Sequence, residues 1–494
     1  MAEPVDGPSK EPSAPWGKLK GLAGKPALPD NWRLVAGSAV LGLVVAAGAV
    51  FAAGPWDNGQ RTAERVRAAD AGRTGDAGHR SPATGPGEPA PAPSAAAVLV
   101  ALGTGRAPAP AGAAPALTKA LDRLVASHAL GTRTAAVVVD TTTGEQIYAH
   151  GAGAPMTPAS TVKIATTVAA LSALGPDHRI ETTVRASPDL RTVTLVGGGD
   201  PTLDEAGLRA LARATAGALR DRKVKRVALT YDTSAYTGPA RHPIGPNDNI
   251  APVSALMIRA GRLDKSDHGP APRSADPAAD AARAFAGYLA DDGVTTTGEP
   301  RSHRAPARAA TLATHRSAPL SALVERTLTL SDNDLAEALA RQTAIKAGLP
   351  AGFAGARSAV TARLKALGMP VKGTRFADGS GLDRDDRVSA SLLAGLLARA
   401  ADPARPELRP VLTGLPVAGF SGTLDGRYGE KSGGAGLVRA KTGTLTGVNA
   451  LAGTVVDTRG RLLAFAFLTS GTTAPGDAEK ALDALATALA TGTR

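Results

Sequence analysis

The composition of the chain changes near residue 115, and this change decides which part can fold. Residues 55–115 are rich in Ala, Pro and Gly and contain few bulky apolar side chains. Such a stretch cannot bury enough surface to offset the entropy lost on folding. From residue 116 onward the composition is that of a globular protein. We therefore expect the folded part to lie within residues 116–494, and residues 55–115 to form an extended, semi-stiff tether.

An uncharged apolar run precedes the tether. Residues 34–54 contain no charged side chain, and their length suits the hydrocarbon core of a bilayer. Trp32 and Trp56 flank the run as interfacial anchors do, and the lysines within residues 1–33 favour a cytoplasmic N-terminus. The sequence thus predicts a single-pass helix in the cell membrane with the folded part outside the cytoplasm. The alternative is a signal peptide that is cleaved, which leaves an exported protein.

Composition excludes several classes of function. The 494 residues include no cysteine, which excludes disulfides, thiolate catalysis and cysteine-ligated metals. The eight histidines are scattered without a His-x-x-x-His pair, so no zinc ligand set is visible. The net charge of +12 suits either a solvated arginine-rich surface or attraction to a polyanion. Nucleic-acid binding is poorly supported, because aromatics make up only 3% of residues and interleave with no basic run.

Strand patterns occur at both ends of the globular part. β-branched and apolar runs bounded by turn residues predict a first hairpin and three later antiparallel strands. These strands are residues 135–140, 145–148, 437–444, 448–457 and 462–469. Helices are predicted over residues 117–130 and 478–489. Strands at both ends with helices between them predict an α+β fold, in which an antiparallel sheet is flanked by helices.

Ser160-Thr161-Val162-Lys163 is the single Ser-x-x-Lys segment of the chain. An apolar helical run follows it to about residue 174, which places Ser160 near a helix N-terminus, where developing negative charge is favoured. Positions i and i+3 share a helix face, so the Lys163 amine can reach the Ser160 hydroxyl. A serine nucleophile needs a nearby base, and a lysine can serve when burial lowers its pKa. The simpler interpretation is a helix cap followed by a surface lysine.

Ser331-Asp332-Asn333 begins a helix that is predicted to run to residue 345. As local structure, the segment is a good N-cap cluster. As part of a catalytic site, Ser331 would relay a proton to a leaving amine, and Asn333 would hold the lysine and a substrate amide. Both interpretations fit the sequence alone.

Lys441-Thr442-Gly443-Thr444 lies in a predicted strand. Lys441 offers a positive charge for a carboxylate, and Gly443 allows another backbone to approach. Thr444 offers a hydroxyl and an amide. The simpler interpretation is an ordinary strand with a surface lysine. Residues 431–433 repeat the Lys-Ser/Thr-Gly pattern within a glycine-rich stretch, and we reject them because no strand pattern surrounds them.

The three motifs together resemble those of the penicilloyl-serine transferases, which comprise penicillin-binding proteins and serine β-lactamases. Ser-x-x-Lys, Ser-x-Asn and Lys-Thr-Gly occur in that order, each in its expected helix, loop or strand context. Further segments resemble the D-Ala-D-Ala carboxypeptidase/endopeptidase family, the class C low-molecular-mass penicillin-binding proteins. Those segments are residues 195–203, 378–382, 387–389, 415–419, 422–424 and 439–445. The resemblance covers roughly residues 116–494.

This resemblance implies a β-lactamase/transpeptidase-like fold with a smaller domain inserted between the first and second motifs. The long separation of Ser160 from Ser331 leaves room for such an insert. We expect residues 116–184 and 306–494 to form the catalytic domain and residues 185–305 to form the insert. Within the insert, strands are predicted at residues 191–196 and 226–231 and a helix at residues 204–219. The insert is shorter than in the better-known members of the family.

The resemblance also implies an activity. This activity is that of a serine-type D-Ala-D-Ala carboxypeptidase acting on peptidoglycan stem peptides that end in D-Ala-D-Ala. The resemblance leaves D,D-endopeptidase action open. Ser160 would form the acyl-enzyme, Lys163 would be its base, and β-lactams would be covalent inhibitors. The further catalytic residues implied are Ser331, Asn333 and Lys441. Thr442, Gly443 and Thr444 would bind substrate, and the backbone amides of Ser160 and Thr444 would form the oxyanion hole. No metal or cofactor is required.

Two alternatives remain open at this point. A serine β-lactamase would need an additional base for deacylation, and Glu337 lies two turns into the second motif's helix, although in a context that does not match such a loop. A non-catalytic cell-wall binding or sensor protein could share the scaffold, because a fold does not guarantee activity. The presence of all the candidate catalytic side chains argues against the second alternative.

Overall fold

A computed structural model describes residues 115–429 and 431–492 of the chain. The predicted cytoplasmic segment and membrane anchor, and the predicted tether apart from its last residue, lie outside the described residues. Among the helices that the structure does describe, none combines the length and apolar character needed to cross a bilayer.

Ten α-helices and eleven strands make up the described part. The helices are α1 (Pro115–Val125), α2 (Lys163–Leu174), α3 (Glu205–Arg220), α4 (Pro277–Asp291), α5 (Leu320–Thr329), α6 (Asn333–Lys346), α7 (Phe353–Ala366), α8 (Ala390–Ala401), α9 (Pro410–Thr413) and α10 (Pro475–Thr491). The strands are β1 (Arg133–Asp140), β2 (Gln146–His150), β3 (Glu181–Ala186), β4 (Thr192–Val196), β5 (Arg226–Asp232), β6 (Thr295–Thr296), β7 (Arg301–Ser302), β8 (Ala310–Arg316), β9 (Val438–Leu445), β10 (Val448–Val456) and β11 (Leu462–Ser470).

The first sheet joins the two ends of the folded part. Its five strands run in the order β2-β1-β11-β10-β9, and every neighbouring pair is antiparallel. The predicted strands at both ends of the globular part are therefore confirmed, each within about two residues of its expected limits. The turn between β10 and β11 closes with a hydrogen bond from the Gly460 amide to the Asp457 carbonyl. The predicted helix over residues 117–130 ends at Val125, because the Ser127 side chain accepts from the Ala129 amide and starts a 3-10 turn instead.

The alternation of side chains along each strand builds two cores. Val137, Ala452 and Ala466 face the layer that contains α2, α6 and α8. Leu451 and Phe465 point to the opposite face and pack with α1 and α10. The expected α+β fold, an antiparallel sheet flanked by helices, is thus observed. Small alanines on the sheet face toward α2 allow this helix to pack closely. Residues 163–171 of α2 are all buried, although they include lysine and threonine side chains.

Most strands of a second sheet lie within the predicted insert. Its strand order is β6-β5-β4-β3-β8, and β7 also pairs with β5. β4 and β5 are parallel and are connected through α3, as parallel neighbours require a crossover. The division into residues 116–184, 185–305 and 306–494 remains a prediction. The second sheet includes residues on both sides of these limits, because β3 begins at Glu181 and β8 ends at Arg316.

The aromatic side of the first sheet offers a test of the packing. Phe465 is fully buried and stacks on Phe467 with ring centroids 4.9 Å apart. Phe465→Ala should lower the free energy of unfolding by about 3–5 kcal/mol, because it removes buried apolar surface and leaves a cavity. Urea unfolding followed by far-ultraviolet circular dichroism measures this loss. The control Val456→Ala, on an exposed site of β10, should change stability by only about 0.5 kcal/mol. Equal losses in the two variants would contradict the assignment of this face to the core.

Candidate active site

Ser160 lies in a 3-10 turn, Ala159–Val162, that leads directly into α2. Ala159 adopts a positive φ of 47°, which is uncommon for a residue with a side chain. Two glycines enclose this turn. A Cβ at Gly443 would lie 2.7 Å from the Pro158 carbonyl oxygen, and one at Gly381 would lie 2.1 Å from the Ala159 carbonyl oxygen. Only glycine therefore allows β9 and the loop at Gly381 to approach the turn this closely.

Lys163 is completely buried at the first position of α2. Its Nζ lies 2.9 Å from the Ser160 Oγ, 2.7 Å from the Asn333 Oδ1 and 2.6 Å from the Ser380 carbonyl oxygen. Burial lowers the pKa of Lys163 to about 8, against the opposing influence of carboxylates led by Asp378. An amine with this pKa can exchange a proton with a neighbouring hydroxyl near neutral pH.

The second motif is both a helix cap and part of the site. Asp332 caps α6, and its Oδ1 accepts from the Leu335 amide at 3.0 Å. Ser331 has a positive φ of 58° immediately before the cap. Asn333 binds Lys163 through Oδ1, while its Nδ2 donates to the Asn249 carbonyl at 2.9 Å. The two interpretations of this segment are therefore compatible.

The third motif lies on β9, which is an edge strand of the first sheet. Lys441 is fully buried, and its Nζ donates to the Thr442 carbonyl at 2.8 Å. Burial, and secondarily the charge of Lys163, lower the pKa of Lys441 well below its ordinary value. The Thr444 Oγ1 lies 3.3 Å from the Glu479 Oε1 at an exposed position. Residues 431–433 lie outside every strand.

A cavity of about 210 Å³ brings the motifs together. Ser160, Ser331, Asn333 and Thr444 all line it. Other lining residues come from the predicted insert and include Asn249, Arg262 and Arg273. Lys163 reaches this site through its contacts with Ser160 and Asn333, and Gly443 packs against the turn that carries Ser160.

The loop at residues 378–383 overlaps one of the segments that resemble the family, and none of its residues was among the predicted catalytic residues. Its Ser380 carbonyl nevertheless binds the Lys163 amine. Asp378 organises this loop, because its carboxylate accepts from four backbone amides. These are the amides of Ser380, Gly381, Leu382 and Asp383. The Glu337 Oε1 accepts from two amides of the same loop, those of Gly379 and Ser380. The Asp-Gly-Ser-Gly sequence is itself a signal for such side-chain-to-backbone turns.

The ligand atoms of the buried groups His242, Glu337 and Asp378 lie within 4.8 Å of one another, a spacing that could suit a metal ion. Their oxygens already accept hydrogen bonds. The Asp378 carboxylate is surrounded by amides and by His242, and the Glu337 Oε2 accepts from Arg341 at 2.8 Å. N–H groups that point at these oxygens would also point at a bound cation. The cluster therefore suits a hydrogen-bonded network rather than a metal ion.

The same network bears on the β-lactamase alternative. Glu337 is completely buried, and both of its carboxylate oxygens are occupied. The side chain pairs with Arg341 one turn further along α6. Glu337 therefore has neither the exposure nor a free oxygen with which to activate a water molecule.

Comparisons with known proteins give a matching family model and several similar proteins. The model of the D-Ala-D-Ala carboxypeptidase 3 (S13) family matches residues 117–271 and 264–490. Carboxypeptidase DacB of Mycolicibacterium smegmatis is 38% identical over 392 residues, which cover 76% of this chain and 83% of the relative. Carboxypeptidase Rv3627c of Mycobacterium tuberculosis is 38% identical over 395 residues, which cover 76% of this chain and 84% of the relative.

A more distant relative and a solved structure extend the comparison. The D-alanyl-D-alanine carboxypeptidase of an Actinomadura species is 30% identical, over 73% of this chain and 82% of the relative. The crystal structure of penicillin binding protein 4 from Haemophilus influenzae superposes with a TM-score of 0.62 at 23% identity. The superposition covers 75% of this chain and 98% of that protein. This similarity shows that the chain has the expected transpeptidase-like fold. The chain therefore belongs to the D-Ala-D-Ala carboxypeptidase 3 (S13) family.

Proposed function

We propose that this protein is a serine-type carboxypeptidase that removes the terminal D-alanine from peptidoglycan stem peptides ending in D-Ala-D-Ala. The observation that carries the proposal is the contact between the buried Lys163 amine and the Ser160 hydroxyl, at 2.9 Å. Curated relatives named as carboxypeptidases support the choice of reaction.

Acylation begins when the Ser160 Oγ attacks the carbonyl carbon between the two D-alanines. The hydroxyl proton passes to the Lys163 Nζ, which must be neutral to accept it. Burial favours the neutral amine. Asn333 and the Ser380 carbonyl hold the amine in place during the transfer.

The negative charge that develops on the substrate oxygen needs donors that are already in position. We assign this role to the backbone amides of Ser160 and Thr444. The close approach of Gly443 to Pro158 supports the assignment, because it brings the edge of β9 against the turn that carries Ser160. An edge strand can also receive an extended peptide as an additional strand.

Departure of D-alanine requires a proton on its nitrogen. Ser331 lines the same cavity as Ser160 and relays that proton. Lys441 assists in this transfer, and its buried amine is close enough to Lys163 for their charges to interact. Lys441, Thr442 and Thr444 bind the terminal carboxylate, Asn333 holds the substrate amide, and water then hydrolyses the acyl-enzyme. A β-lactam enters as a mimic of the dipeptide, acylates Ser160 and stalls at that last step.

The folded domain acts outside the cytoplasm, where peptidoglycan lies. A membrane helix formed by residues 34–54 would hold it at the cell surface, and residues 55–115 would carry it away from the bilayer. The uncharged sequence of residues 34–54 and its flanking tryptophans support this arrangement.

Replacement of the nucleophile tests the proposal directly. Ser160→Ala should abolish both covalent labelling by a fluorescent penicillin and release of D-alanine from a D-Ala-D-Ala peptide, because no hydroxyl remains to form the acyl-enzyme. Ser358→Ala, on the exposed face of α7, is the matched control and should label at the wild-type rate. Circular dichroism confirms that both variants are folded. Labelling that persists in Ser160→Ala would place the nucleophile elsewhere.

The base gives a second prediction. The pKa of Lys163 is lowered to about 8, so the amine is protonated below that pH and neutral above it. The rate constant for penicillin acylation should therefore rise with pH, reach its midpoint near 8 and level off at higher pH. Labelling reactions that are quenched at fixed times, in buffers of different pH and constant ionic strength, measure how the acylation rate constant depends on pH. A rate that is flat or falling across this range would mean that Lys163 is not the base.

A further inference from the structure

A buried histidine of the predicted insert makes direct contact with the loop that holds the catalytic lysine. We propose that His242 is a positioning residue for acylation. It holds the Asp378 carboxylate, and through that carboxylate it fixes the Ser380 carbonyl against Lys163. This inference rests on the proposed function of the Ser160 site.

The contact of His242 with Asp378 is buried and directional. The His242 Nε2 lies 3.0 Å from the Asp378 Oδ2, and the two side chains are 1% and 0% exposed. The Ile244 amide donates to the Nδ1 at 3.3 Å, so the ring proton lies on Nε2 and points at Asp378. Phe353 packs edge-on against the ring at 5.3 Å. The imidazole therefore has one orientation and one carboxylate partner.

Asp378 transmits this position to the catalytic lysine through a single loop. Its oxygens bind the amides of residues 380–383 and the Ser380 hydroxyl. That loop makes two contacts with α2. The Ser380 carbonyl accepts from the Lys163 Nζ at 2.6 Å, and the Gly379 carbonyl accepts from the Thr166 Oγ1 at 2.7 Å. A shift of the carboxylate would move both acceptors.

The negative charge of the buried Asp378 carboxylate explains why a histidine donor is needed beside it. Burial opposes ionisation of Asp378, and the hydrogen bond from His242 is the leading cause that lowers its pKa below the usual range. Burial alone would lower the pKa of His242, but its hydrogen bond to Asp378 and the nearby Glu337 and Asp383 raise it. Glu337 is already paired with Arg341. Loss of His242 would therefore leave Asp378 as a buried carboxylate without its strongest donor.

Asparagine and glutamine replacements separate the two contacts of His242. In His242→Gln the side-chain amide nitrogen reaches the position of Nε2 and can still donate to Asp378. In His242→Asn the shorter side chain can accept from Ile244 but cannot reach Asp378. The pair keeps a polar, uncharged group in the pocket and differs in the Asp378 contact.

The measured quantity is the second-order rate constant of penicillin acylation, taken per folded molecule across pH. We expect the rate constant of His242→Asn to fall about ten- to hundredfold, the cost of a misplaced catalytic group, and that of His242→Gln to stay within about threefold of the wild type.

The midpoint of the pH dependence should also move to higher pH in His242→Asn, because a loosened loop lets water reach Lys163. Desolvation is the main cause of its low pKa. The carboxylates that act on Lys163, led by Asp378 and followed by Asp332, Glu337 and Asp386, are present in both variants, as is the neighbouring Lys441. Four backbone amides still donate to Asp378 after loss of His242, so we expect it to stay ionised across the assay range.

A structural role alone would give a different result. Thr230→Val removes the 2.8 Å hydrogen bond between Thr194 and Thr230 inside the second sheet, and it should lower stability without changing the rate or the midpoint. If His242→Asn behaves like Thr230→Val, His242 only stabilises the fold and the inference is wrong. A failure of the wild type itself to label would instead refute the proposed function. Rescue of both rate and midpoint by glutamine supports the positioning role.

Discussion

The site depends on the burial of one amine. Lys163 has no exposure to solvent, yet it carries a group that prefers water, and removal of an ammonium from water is expensive. The structure meets this cost with three oxygens from distant parts of the chain, on Ser160, Asn333 and Ser380. Because each oxygen must lie within hydrogen-bond distance of the same nitrogen, the start of α2, the start of α6 and the loop at residues 378–383 have to converge. The low pKa that suits a base follows from the same burial.

Convergence of this kind requires close backbone approaches, and small residues supply them. Gly443 and Gly381 admit β9 and the loop to the turn around Ser160, where any Cβ would meet a carbonyl oxygen. Alanines such as Ala452 and Ala466 fill the face of the sheet beneath α2. The two phenylalanines of β11, Phe465 and Phe467, lie on the opposite face. Both faces of the sheet are therefore buried against apolar clusters, and the small side chains on the face toward α2 let that helix, with its lysine and threonines, pack close to the sheet.

Local patterns in the sequence were sufficient for the strands, for α6 and its cap, and for the three motifs, because each depends on residues close together in the chain. The contact of Lys163 with Ser160 was predicted from helical spacing, and its contact with Asn333 from the catalytic interpretation that the family resemblance supports. Both contacts lie within hydrogen-bond distance. The network around Asp378 could not be inferred in this way. His242 and Asp378 are far apart in sequence, and nothing near either residue indicates a buried partner. Glu337 was considered as a base, but its pairing with Arg341 and with the loop depends on tertiary packing.

The predicted insert also contributes polar partners to buried groups near Lys163. Two buried carboxylates beside the catalytic groups have partners that come from it: Asp378 binds His242, and Asp334 binds Arg273 at 2.8 Å. Burial raises the pKa of Asp334 to about 6, with the Arg273 guanidinium opposing the rise. Without these partners each acid would keep its backbone donors but lose its side-chain donor, next to Asn333 and to the Ser380 carbonyl. Side chains of the predicted insert therefore provide the partners of both buried carboxylates that neighbour Asn333 and Ser380.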